Sequence, residues 1–119
     1  MMEIVNVLTR IFLAPEELNE AITFYEDIFG EKCGPRFEYD GIELTRVGKV
    51  LLSAGSEEAI KPYRELMTIF VVDSLNDFKD KLVKYGAVLL KEPETVPTGT
   101  NMIVRHPDGS VVEYVELKS

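Results

Sequence analysis

Two segments of the chain repeat the same order of hydrophobic and polar positions. Residues 10–54 and 67–117 each open with a short apolar run, continue with apolar residues three and four apart, and close with shorter apolar runs that partly alternate with polar residues. These patterns are typical of a strand, an amphipathic helix and further strands. A repeat of about 60 residues therefore predicts one βαβββ module used twice in an α+β fold, with each copy burying its apolar face against the other.

Both predicted helices carry signals at their ends. Pro15 suits the first turn of a helix, where its missing N–H costs nothing, and Gly30 suits the left-handed position after the last turn. In the second module Ser74 is the predicted N-cap and Gly86 ends the helix. The first helix is therefore expected between Pro15 and Gly30, and the second between Ser74 and Gly86.

Turn residues divide the remaining segments into strands. The Asp40-Gly41 pair predicts a tight hairpin, whereas residues 91–100 contain two prolines and a glycine and are expected to form a loop that approaches a ligand. Residues 56–65 are mostly polar and are interpreted as a linker. We therefore expect one domain over residues 1–119, with module one at 3–55, the linker at 56–65 and module two at 66–118.

Composition excludes several classes of partner. The net charge of −8 argues against nucleic acid and, as weaker evidence, favours cationic over anionic ligands. No apolar run approaches the roughly 20 residues that a membrane-spanning helix needs, and the first residues lack the pattern of a secretion signal. A single cysteine, Cys33, fits a reducing compartment. These features predict a cytoplasmic protein without nucleic-acid or membrane partners.

Three stretches of the sequence resemble the vicinal oxygen chelate superfamily, which includes glyoxalases, bleomycin-resistance proteins and extradiol dioxygenases. Residues 21–30 read A-I-T-F-Y-E-D-I-F-G and are similar to the family's A-I-x-F-Y-x-x-x-x-G helix. Residues 69–75 resemble the strand and helix start of its second module, and residues 106–113 resemble its D-P-D-G-x-x-x-E ending. The resemblance implies two βαβββ modules that form a curled mixed sheet around a cavity. It also implies a homodimer, because small members often pair.

The resemblance further implies where a metal would bind. Metal-dependent members take one ligand from the first and one from the last strand of each module, usually His, Gln or Glu. These positions fall on Leu8, Leu52, Met67 and Glu113, and shifting the first position offers only Asn6 or Thr9. Leucine has no lone pair and a thioether prefers soft ions, whereas a catalytic metal needs about three protein ligands. We therefore expect no metal or other cofactor, with one divalent metal as the alternative.

Glu113 is the main candidate for a catalytic or ligand-binding role. Strand alternation places it between Val111 and Val115 on one face, where it would contact a ligand or act as a general base. Arg105 is a candidate counter-cation, as are Arg10 and Arg46, and an ordinary ion pair remains an equally open interpretation. The predicted ligand-binding residues are Leu8, Leu52, Met67, Ile69, Arg105 and Glu113.

His106, the only histidine, precedes a Pro-Asp-Gly turn. Acid–base chemistry near neutral pH is one interpretation. A hydrogen bond that organises the turn is the favoured one, because the residue occupies the turn-opening position of the family's ending.

Three function classes are consistent with these residues. The preferred one is a metal-free protein that binds a small organic molecule in an apolar cavity, to which Ile103 and Val111 would add further walls. The alternative is a lyase, isomerase or dioxygenase of the same superfamily, metal-dependent or metal-free, with Glu113 as ligand or general base. The third is an interaction module that kept the fold without the chemistry.

Overall fold

The computed structural model describes residues 2–118 and divides them into two compact units. The N-terminal unit is Thr9–Met67, and the C-terminal unit combines the residues up to Leu8 with those from Thr68 onward. Strand β1 (Ile4–Leu13) is therefore divided between the two units. It begins at Ile4, whereas the sequence predicted a start near Arg10. The polar residues Asn6 and Thr9 interrupt the apolar pattern of its first half, so the sequence did not predict that half as strand.

The N-terminal unit forms a βαβββ module. After β1 it contains α1 (Leu18–Phe29), β2 (Phe37–Tyr39), β3 (Ile42–Val47) and β4 (Val50–Ala54), followed by a short helix α2 (Glu57–Ile60). Its strands are ordered β2-β3-β4-β1; β2, β3 and β4 are antiparallel neighbours, and β4 runs parallel to β1. Short 3-10 turns at Pro15–Glu17 and Lys61–Tyr63 flank the module's helices.

Local signals explain the connections of this unit. Asp40 and Gly41 both have positive φ, 54° and 81°, which is the geometry of the tight hairpin turn predicted between β2 and β3. Pro15 opens a 3-10 turn that leads into α1, and α1 ends before Gly30, as predicted.

Two apolar clusters cover the two faces of this sheet. On one face, α1 contributes Leu18 and Ile22. They pack against the sheet residues Val47, Val50, Leu52 and Ala54. On the other face, Ile42 and Leu44 pack against Ile60 of α2.

The C-terminal unit repeats the module. It contains β5 (Thr68–Val72), α3 (Leu75–Lys84), β6 (Val88–Val96), β7 (Gly99–Arg105) and β8 (Val111–Leu117). Together with the first half of β1, the strands are ordered β1-β5-β8-β7-β6; β5 and β8 are parallel, whereas β8, β7 and β6 are antiparallel neighbours. The predicted α+β fold of two βαβββ modules is thus confirmed.

Helix α3 is fixed to the sheet at its start. The Ser74 side chain accepts a hydrogen bond from the Asp77 N–H, as its predicted role as N-cap requires, and Glu116 of β8 accepts one from the Leu75 N–H at 2.7 Å. Beneath the helix, Leu75 and Phe78 pack on one face of the sheet. The sheet residues of that cluster are Val72, Met102, Val104, Val112 and Tyr114.

The prediction of a loop at residues 91–100 is wrong. Strand β6 continues to Val96 and pairs with β7, and only Pro97 and Thr98 form the turn. A proline is compatible with this strand because β6 is the outermost strand of its unit, so the missing N–H of Pro93 removes no ladder bond that the sheet needs. Gly99 follows with φ of 151°, where a Cβ would collide with the Glu116 carbonyl oxygen.

None of the helices formed by residues 2–118 combines the length and the apolar character that crossing a lipid bilayer requires.

Candidate functional site

Glu113 lies on the sheet face that α3 does not cover. Its Cα partners are Ile69 on β5 and Ile103 on β7, and directly paired residues project to the same side of a sheet. The neighbouring residues Val112 and Tyr114 project to the opposite side, into the cluster under α3. We call the side of Glu113 the α3-distal face; strand alternation assigns to it Ile69, Val71, Asn101, Ile103, Val111, Glu113 and Val115.

A buried amide holds the Glu113 carboxylate. Asn101 Nδ2 donates a hydrogen bond to Glu113 Oε2 at 3.1 Å, and the two residues are only 7% and 8% exposed. Lys91 Nζ in turn donates to Asn101 Oδ1 at 3.0 Å. Because an ammonium is a donor only, the atom that faces it must be the amide oxygen, so the NH₂ group necessarily faces the carboxylate. The contacts therefore fix the orientation of the amide.

These three side chains form a line across adjacent strands. We call Lys91 on β6, Asn101 on β7 and Glu113 on β8 the polar row. Strands lie about 4.8 Å apart, so the row crosses about 10 Å of sheet. At its outer end Lys91 also forms an ion pair with Glu94, with Nζ 3.4 Å from Oε2. The row is acidic and buried at one end, and basic and partly exposed at the other.

The predicted site residues divide between the two units. Leu8, Ile69, Arg105 and Glu113 belong to the C-terminal unit, and Leu52 and Met67 belong to the N-terminal unit. Ile69 and Glu113 are brought together as register partners on β5 and β8. Arg105 is exposed and lies opposite Val111 near the end of β7, whereas the cation that contacts Asn101 is Lys91. Sequence reasoning missed Lys91 because it assigned that residue to a loop.

Leu52 does not fit the position predicted for it. Its side chain is fully buried in the cluster under α1, together with Val50 and Ala54. Alternation along β4 places Leu51 and Ser53 on the opposite face instead. The internal alignment of the two modules was therefore off by one residue. Met67, just before β5, is 52% exposed, and its carbonyl accepts a hydrogen bond from the Arg10 N–H at 2.8 Å.

Arg10 is buried within the N-terminal unit. Its Nε donates to the Leu66 carbonyl and its Nη1 donates to Ser53 Oγ, each at 3.0 Å. The guanidinium also lies 6.0 Å from the centre of the Phe12 ring, and that of Arg64 lies 5.9 Å from it. Hydrogen bonds and cation–π contacts thus stabilise the buried charge of Arg10. The sequence had suggested Arg10 only as one of several possible counter-cations of Glu113.

His106 organises the turn before β8. Its backbone oxygen accepts from the Gly109 N–H at 2.9 Å, and its Nδ1 lies 3.2 Å from Ser110 Oγ. Because Ser110 Oγ donates to Asp108 Oδ1, it accepts from the Nδ1–H of the imidazole, and Nε2 lies within hydrogen-bond distance of the Tyr114 hydroxyl, at 2.7 Å. The predicted turn role of His106 is confirmed, and the histidine additionally anchors a buried tyrosine.

Two groups beside this histidine have displaced pKa values. Burial raises the pKa of Tyr114 to about 12. Hydrogen bonds from the Ser110 backbone and hydroxyl lower the pKa of Asp108.

The donor set does not fit a divalent metal. Of the four positions that correspond to family ligands, only Glu113 carries a hard oxygen donor. Correcting the register on β4 offers Leu51, which has no donor, or Ser53, whose hydroxyl already accepts from Arg10. Among residues 2–118, no three His, Cys, Asp or Glu side chains lie close enough together to share a metal ion.

Comparison with known proteins gives the class of the chain. Residues 7–114 match the model of the Glyoxalase/Bleomycin resistance protein/Dioxygenase superfamily, and the chain belongs to this family. The α+β fold described above is the fold of that family. Among curated proteins, no sequence matches the chain.

Solved structures agree with this assignment. An uncharacterized protein from Methanosarcina mazei is 46% identical, with a TM-score of 0.89 over 98% of this chain and 94% of that one. Methylmalonyl-CoA epimerase from Mycobacterium tuberculosis is 20% identical, with a TM-score of 0.74 over 98% and 90%. A hypothetical protein from Bacillus halodurans C-125 is 18% identical, with a TM-score of 0.71 over 94% of each chain. At these lower identities the likeness concerns the fold alone.

Proposed function

We propose that the protein binds a small organic molecule without a metal and that Glu113 is the residue that contacts it. One observation carries this proposal: Glu113 is buried beside its register partners Ile69 and Ile103, and its carboxylate is held by the Asn101 amide at 3.1 Å. Ligand sites typically combine apolar walls with a few oriented polar groups. The α3-distal face offers that combination, with Ile69 and Val115 as buried aliphatic neighbours.

The chemistry of a carboxylate selects the ligand group. An ionised carboxylate accepts hydrogen bonds but donates none. A ligand that contacts Glu113 therefore presents an N–H or O–H group, and an ammonium adds charge attraction to the hydrogen bond. The sequence expectation of a cationic ligand group agrees with this inference.

We propose binding without a metal because the side chains at the candidate positions do not form a set of metal ligands. The alternative is a lyase, isomerase or dioxygenase that uses Glu113 as a metal ligand or, without metal, as a general base. The test therefore measures metal and ligand binding separately. The protein is incubated with Zn²⁺, Ni²⁺, Mn²⁺ and Fe²⁺ and desalted before elemental analysis, with Glu113→Gln in parallel. One equivalent retained by the native chain and lost in the variant would establish the metal-dependent alternative.

Ligand binding is measured with hexylamine as the probe. We expect it to shift the NMR methyl signals of Ile69 and Val115, and we expect Glu113→Gln to weaken its binding about tenfold, the effect of losing one charge-assisted hydrogen bond. Glu92→Gln is the matched control because Glu92 is exposed and pairs with Lys79 on the surface. No methyl shift up to millimolar concentration, or equal weakening by both variants, would refute the proposal.

We also propose that the protein is a cytoplasmic homodimer. The exposed residues Val5 and Val7 support the dimer: they alternate along β1 with the half-buried Asn6 and the buried Leu8, and they precede the segment of β1, Thr9–Leu13, that pairs with β4. An exposed branched apolar pair on a strand suits a protein partner. A second copy is favoured because the stretch from Ile4 to Thr9 carries no charge, so two copies of an acidic chain can meet there without repulsion. The cytoplasmic location is supported by the single cysteine.

A further inference from the structure

Lys91 is directed onto the α3-distal face by an irregular segment of β6. The pairing of β6 with β7 shifts register between Leu89 and Lys91 and again between Lys91 and Glu94. Such irregularities bend a strand and change the direction of a side chain, and they are common beside functional sites. Here Lys91 lies between the two shifts, and its ammonium reaches Asn101 on the neighbouring strand.

The next residue confirms the direction of the strand. Glu92 Oε1 accepts from Lys79 Nζ of helix α3 at 3.0 Å, so the Glu92 side chain points to the α3 side of the sheet. Lys91 points to the other side, where it belongs to the polar row. The two lysines are therefore comparable surface cations with acidic partners, of which only Lys91 reaches the row.

The Lys91 ammonium has capacity for one further partner. An ammonium has three N–H donors, of which one donates to Asn101 Oδ1, while Glu94 lies in ion-pair contact at 3.4 Å. The side chain is 26% exposed, so the remaining donor is accessible at the outer end of the row. A carboxylate is the common organic group that forms a charge-assisted hydrogen bond with such a donor.

We propose that Lys91 binds the carboxylate of the ligand, and that the ligand is a small organic acid with an amino or hydroxyl group at its other end. This inference rests on the proposed function, because it takes Glu113 as the partner of that second group. The 3.0 Å and 3.1 Å contacts on the two sides of one amide keep Lys91 Nζ and Glu113 Oε2 within about 8.5 Å of each other, a span that an extended chain of about six carbon atoms covers. A molecule with one cationic and one anionic end matches these charges, because its cation would face Glu113 and its anion would face Lys91.

The test compares three probes of one length: hexylamine, hexanoate and 6-aminohexanoate. Each is titrated by NMR into the native chain and into Lys91→Met, which keeps most of the length of the side chain but removes its charge. We expect 6-aminohexanoate to bind about tenfold more tightly than hexylamine to the native chain, and this preference to disappear in Lys91→Met. Lys91→Arg restores a donor and should restore part of the preference. Lys79→Met is the matched control and should leave it unchanged.

The outcomes separate the two proposals. If hexylamine binds through Glu113 but Lys91→Met leaves the preference for 6-aminohexanoate unchanged, the carboxylate role of Lys91 is refuted and the proposed function stands. If none of the three probes shifts the methyl signals of the α3-distal face, the proposed function itself fails. Equal losses in Lys91→Met and Lys79→Met would assign the effect to surface charge and would also refute the inference. Unchanged amide spectra away from β6 verify that each variant is folded.

Discussion

Asn101 connects Lys91 to Glu113 through a single side-chain amide, which accepts from the lysine at 3.0 Å and donates to the carboxylate at 3.1 Å. Each group of that amide has a charged partner on a neighbouring strand, and one of those partners is buried. The amide is therefore the central element of the candidate site and also a structural link among β6, β7 and β8.

Replacing Asn101 tests that link. Asn101→Leu has nearly the same size but removes both hydrogen bonds, and the loss of a buried hydrogen bond to a charged group costs about 1–3 kcal/mol. We expect the free energy of unfolding, measured in urea, to fall by about that amount and the affinity for hexylamine to fall as well. Asn76→Leu is the control, since Asn76 is exposed on α3. A stability equal to that of the control would show that the amide does not support the sheet.

Leu52 separates structural from ligand-binding roles. Because its fully buried side chain packs under α1, Leu52→Ala leaves a cavity and should lower the free energy of unfolding by about 2–5 kcal/mol. The affinity for hexylamine should not change, because the side chain is on the α1-covered face of its sheet. Urea unfolding and NMR titration of the same variant measure both quantities. If a folded Leu52→Ala variant bound hexylamine more weakly, Leu52 would be a ligand-binding residue, as the sequence predicted.

The sequence predicts the helices and most strands because their signals are local. Helix caps at Ser74 and Gly30 and the Asp40-Gly41 turn depend on residues adjacent in sequence, and each was confirmed. Strand β6 was missed because the proline in it normally indicates a loop, and only its pairing with β7 and its outermost position make it a strand. The hairpin itself is local, since Val96 pairs with Gly99, but the outermost position of β6 depends on the order of all the strands in its unit, which no local pattern reports.

The candidate site was predictable only in part for the same reason. Glu113 followed from the family ending and from strand alternation, and Asn101 could have been found, since it is two residues from Ile103 and alternation places both on one face. Lys91 had no comparable signal, because the register shifts on both sides of it break the alternation. Leu52 was misplaced because aligning the two modules by their turns does not fix the register to one residue.

Tyr114 gives a prediction about alkaline pH. Burial raises its pKa to about 12, above the ordinary value of 10. The folded state thus favours the neutral phenol, so the associated stability is complete below about pH 10 and is lost as pH rises from 10 towards 12. In urea unfolding at several pH values, stability should fall more steeply over this range for the native chain than for Tyr114→Phe. Tyr85→Phe, at an exposed tyrosine, should keep the native slope. Identical slopes for all three would contradict the prediction.

Val7 tests the proposed dimer. Its side chain is 49% exposed on β1, beside Val5, which is 59% exposed. Val7→Lys places a charge in this uncharged stretch, and two such charges would face each other in a twofold contact, so we expect a dimer that dissociates at least tenfold more readily. Light scattering across a concentration series measures the change. Val83→Lys is the matched control, because Val83 is 52% exposed but lies on α3. A native chain that is monomeric at all concentrations, or equal dissociation of both variants, would refute this interface.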